Sequence, residues 1–404
     1  MERKGLEDLA ESRLDGARVL VRVDYNVPVE DGQVTDDTRI RATLRTLRYL
    51  SARRARTVLV SHLGRPKGKR DARYSLAPVA ERLRKLIDVP VTFVEDTVGS
   101  EARAAVEALQ PGAILLLENV RYLPGEESND PELCRQLADL ADVYVNDAFG
   151  TAHRAHASTT GVAEVVRERG GPAVAGFLME RELRFLGSAL AEPKRPFVAI
   201  LGGAKISGKI DVIESLLPRV DQLIIGGAMA NTFFRGLGLE TGDSLVEEDR
   251  VEMGRDLMRR AGEKLMLPTD CVVADRAEAG ANVTVVERDA VRPGSRILDI
   301  GPRSVNAFAT VIARAATILW NGPMGLFEIP DFAAGTVGIA RAAAKATEKG
   351  TVTIAGGGDT AAALEKAGLG GSLAHVSTGG GASLEFLEGR QLPGVAALDS
   401  AGSR

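Results

Sequence analysis

Short apolar runs without polar alternation recur along the chain, and they constrain its fold more than any other feature. Most of them end at Gly, Asn or Asp and lead into a stretch with helical periodicity. Runs of this kind are typical of strands that are buried on both faces, as in parallel sheets. In the first half they are residues 18–23, 57–61, 91–94, 114–117 and 143–145, and in the second half 197–201, 222–225, 271–274, 296–299, 317–320 and 351–355.

Strands that alternate with helical patterns, such as residues 76–87 and 101–109, predict an α/β fold. So many strands in 404 residues favour two sheets in two domains over one large sheet. A helix-like stretch, 176–190, precedes a segment with Pro and Lys, which suits a helical connection between domains. The predicted domains are 1–178 and 179–378, followed by a segment, 379–404, for which packing against the first domain is one option.

Composition excludes several classes of protein. The chain has 51 Lys+Arg against 55 Asp+Glu, a net charge of −4, which argues against a broad nucleic-acid surface. No run of about 18 apolar residues predicts a membrane span, and the charged first ten residues do not resemble a secretory signal. Two distant cysteines, Cys134 and Cys271, predict free thiols in a reducing compartment and hence a cytoplasmic location.

Basic side chains follow several predicted strands of the first half, where ligands of open α/β sheets bind. His62 and Arg65 follow one strand, Arg121 and Arg154 follow two others, and Arg39 begins a helix. Converging guanidinium groups suit a small, multiply charged anion. The alternative is a set of unrelated surface arginines. The His-Arg-Ala-His run at 153–156 has too few ligands nearby for zinc and better suits a phosphate-binding loop or a structural turn.

Glycines follow the predicted strands of the second half, where the backbone can approach a phosphate. They are Gly202, Gly203, Gly226, Gly227, Gly301, Gly322, Gly356, Gly357 and Gly358. Asp359 fits either a helix N-cap or a Mg²⁺ ligand. Lys205 and Lys209 are one helical turn apart and would project to one side, although Ile210 replaces the hydroxyl residue that a P-loop requires. Neither a dinucleotide fingerprint nor a G-x-S-x-G hydrolase motif is present in the sequence.

A series of motifs over both halves resembles the phosphoglycerate kinase family, in the order of that family. They are VRVDYNVP (21–28), SHLGRP (61–66), YSLAPVA (74–80), LENVR (117–121), NDAFGTAHRAHAS (146–158), AGFLME (175–180), GGAK (202–205), GGAMANT (226–232), WNGPMG (320–325), GGGDT (356–360) and STGGGA (377–382). The resemblance implies two Rossmann-like lobes with parallel sheets and a helical hinge. It implies that the first lobe binds 3-phosphoglycerate and the second Mg²⁺ with ATP or ADP.

The resemblance also implies the site residues. The triose phosphate contacts would be Asp24, Tyr25, Asn26, Arg39, His62, Leu63, Gly64, Arg65, Arg121 and Arg154. The nucleotide contacts would be Lys205, Lys209, Gly226, Gly227, Ile297, Leu298, Asn321, Glu328, Gly357, Gly358, Asp359 and Thr360. Asp359 would hold Mg²⁺, and Arg39, Lys205, Gly357 and Gly358 would act on the transferring group.

The expected activity is reversible phosphoryl transfer between ATP and the carboxylate of 3-phosphoglycerate, giving ADP and 1,3-bisphosphoglycerate after hinge closure. Neither a nucleic acid nor a membrane is an expected partner, and a hinge-bending enzyme of this kind is expected to be a monomer. Two alternatives stay open at this point. A catalytically idle relative could act as a nucleotide-gated binding protein, and the architecture alone would also allow an NAD-dependent oxidoreductase.

Overall fold

A single helix, Phe177–Ala191, carries the chain from one structural unit into another. The first unit contains the residues up to Arg184 and those from Gln391, and the second unit is Phe185–Arg390. This computed structural model describes residues 3–401. The outermost residues of the predicted domain ranges, 1–2 and 402–404, lie outside the described residues, and the predicted domain boundaries stay a prediction.

A six-stranded, entirely parallel sheet forms the centre of the first unit. The strands of this unit are β1 (Arg18–Val23), β2 (Val29–Glu30), β3 (Gln33–Val34), β4 (Arg56–Val60), β5 (Val91–Val94), β6 (Ile114–Leu117), β7 (Val143–Asp147) and β8 (Ala173–Ala175). The order across the sheet is β5-β6-β4-β1-β7-β8, and β2 and β3 form a separate hairpin. Strand β8 and the hairpin were not predicted, because they are too short to give a periodic signal in the sequence.

Helices cover the sheet of the first unit and bury their apolar residues against it. They are α1 (Thr38–Ala52), α2 (Ala77–Arg84), α3 (Ser100–Ala108), α4 (Pro131–Ala138) and α5 (Val162–Glu168), whereas α6 (Phe177–Ala191) begins in this unit and continues into the second. Ile40, Leu44, Leu47 and Leu50 recur at helical spacing in α1 and are buried in the apolar core. Each such side chain contributes roughly 1.5–3 kcal/mol when it is fully buried.

A second six-stranded parallel sheet lies in the second unit, in the order β11-β10-β9-β15-β16-β17. The strands here are β9 (Phe197–Leu201), β10 (Gln222–Ile225), β11 (Leu265–Met266), β12 (Asp270–Ala274), β13 (Val283–Glu287), β14 (Arg296–Ile300), β15 (Thr317–Asn321), β16 (Val352–Gly356) and β17 (His375–Val376). The helices are α7 (Ile210–Leu216), α8 (Met229–Gly236), α9 (Val251–Ala261), α10 (Pro302–Ile312), α11 (Ala334–Glu348), α12 (Gly358–Lys366) and α13 (Gly381–Leu387). The last helix, α14 (Pro393–Ala396), belongs to the first unit.

Three strands of the second unit form a separate antiparallel sheet, β13-β12-β14. The apolar runs at 271–274 and 296–299 are therefore strands, but they do not belong to the parallel sheet that such runs suggested. Strand β12 is buried at every position, and β14 at three of its five positions, so their sequences resemble those of strands in the parallel sheets. Strand β13 was missed because its side chains are mostly exposed.

No helix among residues 3–401 is long and apolar enough to cross a bilayer.

Candidate active site

Four adjacent strands of the first unit end along the same edge of its sheet. The order β6-β4-β1-β7 places their carboxyl ends side by side, with Val21 of β1 opposite Leu59 of β4 and Val145 of β7. The loops after these strands contain the residues that the sequence singled out. Parallel pairing therefore brings together segments that are distant in sequence, at the edge where open α/β sheets bind ligands.

Asp24, Asn26 and Arg39 form one connected group at this edge. Arg39 Nη1 donates to Asp24 Oδ2 at 3.0 Å and to the Asn26 carbonyl at 3.1 Å. Asn26 Oδ1 accepts from the Gly64 amide at 2.9 Å, which joins the loop after β1 to the loop after β4. The same loop is held from its other side by Arg121, whose Nη1 donates to the Gly64 carbonyl at 2.9 Å.

Gly64 permits this close packing. Its φ is +61°, and a Cβ built there would lie 2.3 Å from the ring of Tyr74. A side chain at this position would therefore displace the aromatic ring as well as strain the backbone. The backbone conformation of the loop at 62–65 therefore depends on glycine at position 64.

His62 is buried and stands among like charges. Burial lowers its pKa well below the ordinary value, and the charges of Arg22, Arg121 and Arg39 lower it further. His62 is therefore neutral near pH 7. Of the five basic residues predicted to converge here, it contributes no positive charge. Arg121 is also buried, and desolvation together with the charges of Arg22 and Arg154 lowers its pKa. Repulsion within such a group of cations is relieved when an anion binds.

Arg65 and Arg154 are exposed beside this group, and Arg154 is near enough for its charge to affect Arg121. By contrast, Tyr25 and Leu63 are 0% and 5% exposed and belong to the apolar core. The Tyr25 hydroxyl pairs with Thr43 Oγ1 at 2.8 Å. Their side chains are therefore not available to a ligand, and the predicted contacts of Tyr25 and Leu63 would have to come from their backbone groups.

Three buried polar residues beneath the site were missed by the sequence analysis: Arg22, Glu126 and Ser158. A signal existed for Arg22, because it is a charged residue inside a mostly apolar strand, two residues before Asp24. Glu126 and Ser158 lie in a loop and a turn, and their types and positions gave no comparable signal.

A cavity of about 510 Å³ lies in the second unit, within the range of roughly 300–1,000 Å³ that is typical of small-molecule sites. It is bounded by the loops after β9, β10 and β15 and by strand β14 of the small sheet. The predicted residues that line it are Gly227, Ile297, Leu298, Glu328 and Asp359. The surface is mostly apolar, with Asn231, Asp299 and two exposed carboxylates, Glu328 and Asp359, among its polar groups.

Two neighbouring glycines of the loop after β10 have different positions. Gly227 lines the cavity with a φ of +67°, and a Cβ there would lie 2.5 Å from the Gly203 amide nitrogen. Gly226 is buried behind the wall, where a Cβ would lie 2.5 Å from Met324 Sδ. Gly226 is thus not part of the cavity surface and acts through its packing.

The two predicted lysines lie in a loop that precedes α7. Residues 202–209 are not helical, so Lys205 and Lys209 are not one helical turn apart as predicted. Lys205 is exposed, whereas Lys209 is half-buried and donates through Nζ to Asn321 Oδ1. Burial lowers the pKa of Lys209 to about 8, and the charge of Asp359 acts in the opposite direction. An additional anion nearby would therefore stabilise the protonated form of Lys209.

The N-terminus of α12 lies beside this lysine. Gly357 is the N-cap, with a φ of +94°, and the helix begins at Gly358. Asp359 therefore lies in the first turn and is not the N-cap, which closes one of the two roles left open for it. Thr360 Oγ1 accepts from the Gly322 amide at 2.7 Å and so joins the helix to the loop after β15. The first amide groups of a helix attract phosphate oxygens.

Two features of the second unit fit a phosphate chain with a divalent cation. Asn321 Nδ2 is buried with no hydrogen-bond partner among the described residues, and a Cβ at Gly357 would lie 3.2 Å from it. Asp359 offers an exposed carboxylate at the cavity. No group of three or more potential metal ligands occurs among residues 3–401. One carboxylate plus substrate phosphates is a typical environment for Mg²⁺, which keeps several waters.

Known proteins match this chain over both structural units. The family model of phosphoglycerate kinase matches residues 7–390. The chain belongs to the phosphoglycerate kinase family. A phosphoglycerate kinase of Chloroflexus aggregans is 57% identical, over 96% of this chain and 97% of the relative. One of Synechococcus elongatus is 54% identical, over 99% of this chain and 100% of the relative.

Solved structures of phosphoglycerate kinases have the same fold. The structure from Coxiella burnetii superposes with a TM-score of 0.86 at 42% identity, and it covers 98% of either chain. That from Pyrococcus horikoshii OT3 gives 0.84 at 32% identity, again over 98% of either chain. The fold of two α/β units with parallel sheets predicted from the sequence is confirmed.

Proposed function

We propose that this protein is a phosphoglycerate kinase, which transfers a phosphoryl group reversibly between ATP and the carboxylate of 3-phosphoglycerate. When ATP is the donor, the products are ADP and 1,3-bisphosphoglycerate. One observation carries the proposal: a chain of this family has a cationic strand edge in one unit and a glycine-lined cavity beside a lysine in the other. The first suits a small anion, and the second suits a nucleotide with its phosphates.

The acceptor would bind in the first unit. Arg65, Arg121 and Arg154, with His62 as a neutral donor, would hold the phosphate that is not transferred. Guanidinium groups suit this task because their paired N–H groups match phosphate oxygens. Asp24 and Asn26 would contact the hydroxyl and carboxylate part of the substrate. Arg39, which rests on both residues, is then close to the reacting carboxylate.

The nucleotide would bind in the second unit. Its base would fill the apolar cavity near Ile297 and Leu298, and the carboxylate of Glu328 would accept from the ribose hydroxyls. Lys209, Asn321 and the amides of Gly357 and Gly358 would hold the phosphates. Lys205, exposed in the loop before α7, would reach the group that is transferred.

Asp359 would hold Mg²⁺ together with the nucleotide phosphates. When bound, the cation neutralises phosphate charge and orients the phosphate chain. The residues of the chain account for the rest of the chemistry by positioning and by charge. A carboxylate nucleophile is already ionised near pH 7, so that no general base is required.

Arg39 and Lys205 would offset the charge that develops on the transferring group. Removal of one such contact typically reduces the rate by about 10²–10³-fold. Donor and acceptor bind to different units, and transfer requires their reacting atoms to come into contact. We further propose that the enzyme acts in the cytoplasm and as a monomer.

A coupled assay tests the proposal. ATP, Mg²⁺ and 3-phosphoglycerate are supplied, and the product is followed through NADH oxidation by glyceraldehyde-phosphate dehydrogenase. We expect a signal that requires both substrates, is lost in Lys205→Ala and is kept in Lys345→Ala, an exposed lysine of α11. Folded protein that binds Mg-ADP but gives no signal would favour the nucleotide-gated binding protein, or a different carboxylate acceptor.

A further inference from the structure

A chain of three completely buried polar residues, Arg22, Ser158 and Glu126, lies beneath the anion site. Arg22 Nε donates to Ser158 Oγ at 2.8 Å. Ser158 Oγ then donates to Glu126 Oε1 at 2.6 Å, and the Ser158 amide donates to Glu126 Oε2 at 2.9 Å. The Ser158 hydroxyl is thereby fixed in one orientation, because it accepts from one neighbour and donates to the other.

A local irregularity of the backbone places Ser158 in this chain. Residues Ala157–Gly161 form a π-helical turn directly before α5, and such turns are frequent at functional sites. Two backbone contacts support it: the Ala157 amide donates to the Glu126 carbonyl at 2.9 Å, and Tyr144 Oη donates to the Ser158 carbonyl at 2.9 Å. The backbone at Ser158 is thus held by two separate contacts, which fixes the place of its hydroxyl.

The other end of the chain determines the state of His62. Arg22 Nη2 lies 3.1 Å from His62 Nδ1. A guanidinium has only donors, so Nδ1 must be the acceptor and carries no proton. A neutral imidazole with a bare Nδ1 carries its proton on Nε2. The remaining donor of His62 is therefore the Nε2–H group.

The surroundings of His62 also oppose a positive charge. The charges of Arg22, Arg39 and Arg121 act on it from three different elements. One carboxylate is near, with Asp24 Oδ1 at 3.9 Å from Nδ1, and Asp24 is already paired with Arg39. His156, the remaining titratable neighbour, is itself neutral near pH 7, since burial lowers its pKa to about 4.

We propose that the chain Arg22–Ser158–Glu126 positions His62 and fixes it as the neutral tautomer that donates to the substrate through Nε2–H. Arg22, Ser158 and Glu126 are thus positioning residues, and His62 is the group that contacts the substrate. Burial raises the pKa of Glu126, and the attraction of Arg22 across Ser158 acts in the opposite direction, so that the two buried groups stabilise each other's charge. This inference rests on the proposed function for the identity of the ligand, but the tautomer is a property of the unliganded protein.

The tautomer can be measured without substrate. In protein with ¹⁵N-labelled histidine, protonated and bare ring nitrogens have clearly different chemical shifts, and His62→Gln assigns the signals among only four histidines. We expect a bare Nδ1 and a protonated Nε2 from pH 6 to pH 8.5. A cationic His62 within this range, or one with its proton on Nδ1, would overturn the proposal.

Variants test the positioning role. In Ser158→Ala we expect exchange between His62 tautomers and a rise of about tenfold in KM for 3-phosphoglycerate, equivalent to one lost hydrogen bond, with KM for ATP unchanged. Thr97→Val is the matched control, because Thr97 is also buried in the first unit and its hydroxyl donates to the Glu118 carbonyl at 3.2 Å. This control should change neither KM nor the tautomer.

Glu126→Gln provides a second variant should Ser158→Ala not fold. The glutamine has the same shape as glutamate but no charge. Its NH₂ group replaces one of the two oxygens that accept from the Ser158 amide and hydroxyl. We expect the same change of tautomer and the same selective rise in KM. An unchanged tautomer and KM in either folded variant would contradict the proposal. Wild-type protein with the expected tautomer but no kinase activity would overturn the proposed function alone.

Discussion

Arg39 Nη1 lies 3.0 Å from Asp24 Oδ2, which places an arginine of helix α1 over the loop after β1. The Arg39 side chain is 36% exposed. A partly exposed ion pair of this kind contributes about 0–1 kcal/mol to stability. Its role is therefore better sought in the chemistry of the site than in the folding of the first unit.

Arg39→Ala should lower kcat about 10²–10³-fold while the protein remains folded and its affinity for ADP is preserved. The reason is that Arg39 would meet the transferring group, whereas the nucleotide would bind in the other unit. Steady-state kinetics gives kcat, calorimetry gives the ADP affinity, and the melting temperature reports on folding.

Arg41→Ala is the control for this variant. Arg41 lies on the same helix and pairs with Asp37 at 2.8 Å, but it is 54% exposed and outside the site. It should keep full activity. A large loss of ADP affinity in Arg39→Ala with turnover preserved would contradict the role assigned to Arg39.

The parallel sheets could be predicted from the sequence because their strands are buried on both faces. Strand β6, for example, is apolar at every position, and β1 has apolar residues at four of its six positions and is buried at all but the first. The antiparallel pairing of β12 and the exposed strand β13 could not be predicted. Pairing direction and register depend on neighbours that are distant in sequence, and β13 gives no apolar pattern.

The residues of the candidate site could be predicted from their types and their positions after the strands. Their protonation states could not. Arginines at strand ends can be read from the sequence once the strands are known. The neutral state of His62 and the depressed pKa of Lys209 could not be read, because both arise from burial and from the charges of residues far away in the chain. The same holds for Glu126, whose importance appears only through its contact with Ser158.

Lys209 should make the affinity for ADP depend on pH. Its pKa of about 8 lies below the ordinary lysine value, so the side chain loses its proton as the pH rises through 8. A bound phosphate interacts favourably with the protonated form alone. We therefore expect the Kd for Mg-ADP to increase between pH 7.5 and pH 9, and calorimetry over this range provides the measurement.

Lys209→Arg serves as the comparison, because arginine keeps its charge throughout this range. Its Kd should remain nearly constant with pH. Equal slopes in the wild type and in Lys209→Arg would show that another group causes the effect.

Ionisation of the buried Asp299 should lower the free energy of unfolding as the pH rises. Burial raises its pKa to about 7, so the folded protein keeps this proton at pH values where the unfolded chain has lost it. Proton binding thus favours the folded state between about pH 4 and pH 7, and the advantage shrinks at up to about 1.4 kcal/mol per pH unit. The melting temperature of the wild type minus that of Asp299→Asn should therefore decrease from pH 5 to pH 7. Asp249→Asn, at an exposed carboxylate, should give a difference that does not change with pH.

Gly227→Ala should narrow the cavity that is proposed to bind the nucleotide. Both Gly227 and Gly238 have positive φ, at +67° and +78°, so alanine strains the backbone at either position by roughly 1–2 kcal/mol. Only at Gly227 would the new Cβ also meet backbone atoms, 2.5 Å from the Gly203 nitrogen and 2.9 Å from the Pro323 oxygen, whereas nothing lies within 4 Å at Gly238. We expect Gly227→Ala to weaken ADP binding by at least tenfold in calorimetry, and Gly238→Ala to leave it unchanged despite a similar backbone strain. Equal ADP affinities in the two variants would mean that the wall at Gly227 yields and that the close approach of these loops does not shape the nucleotide site.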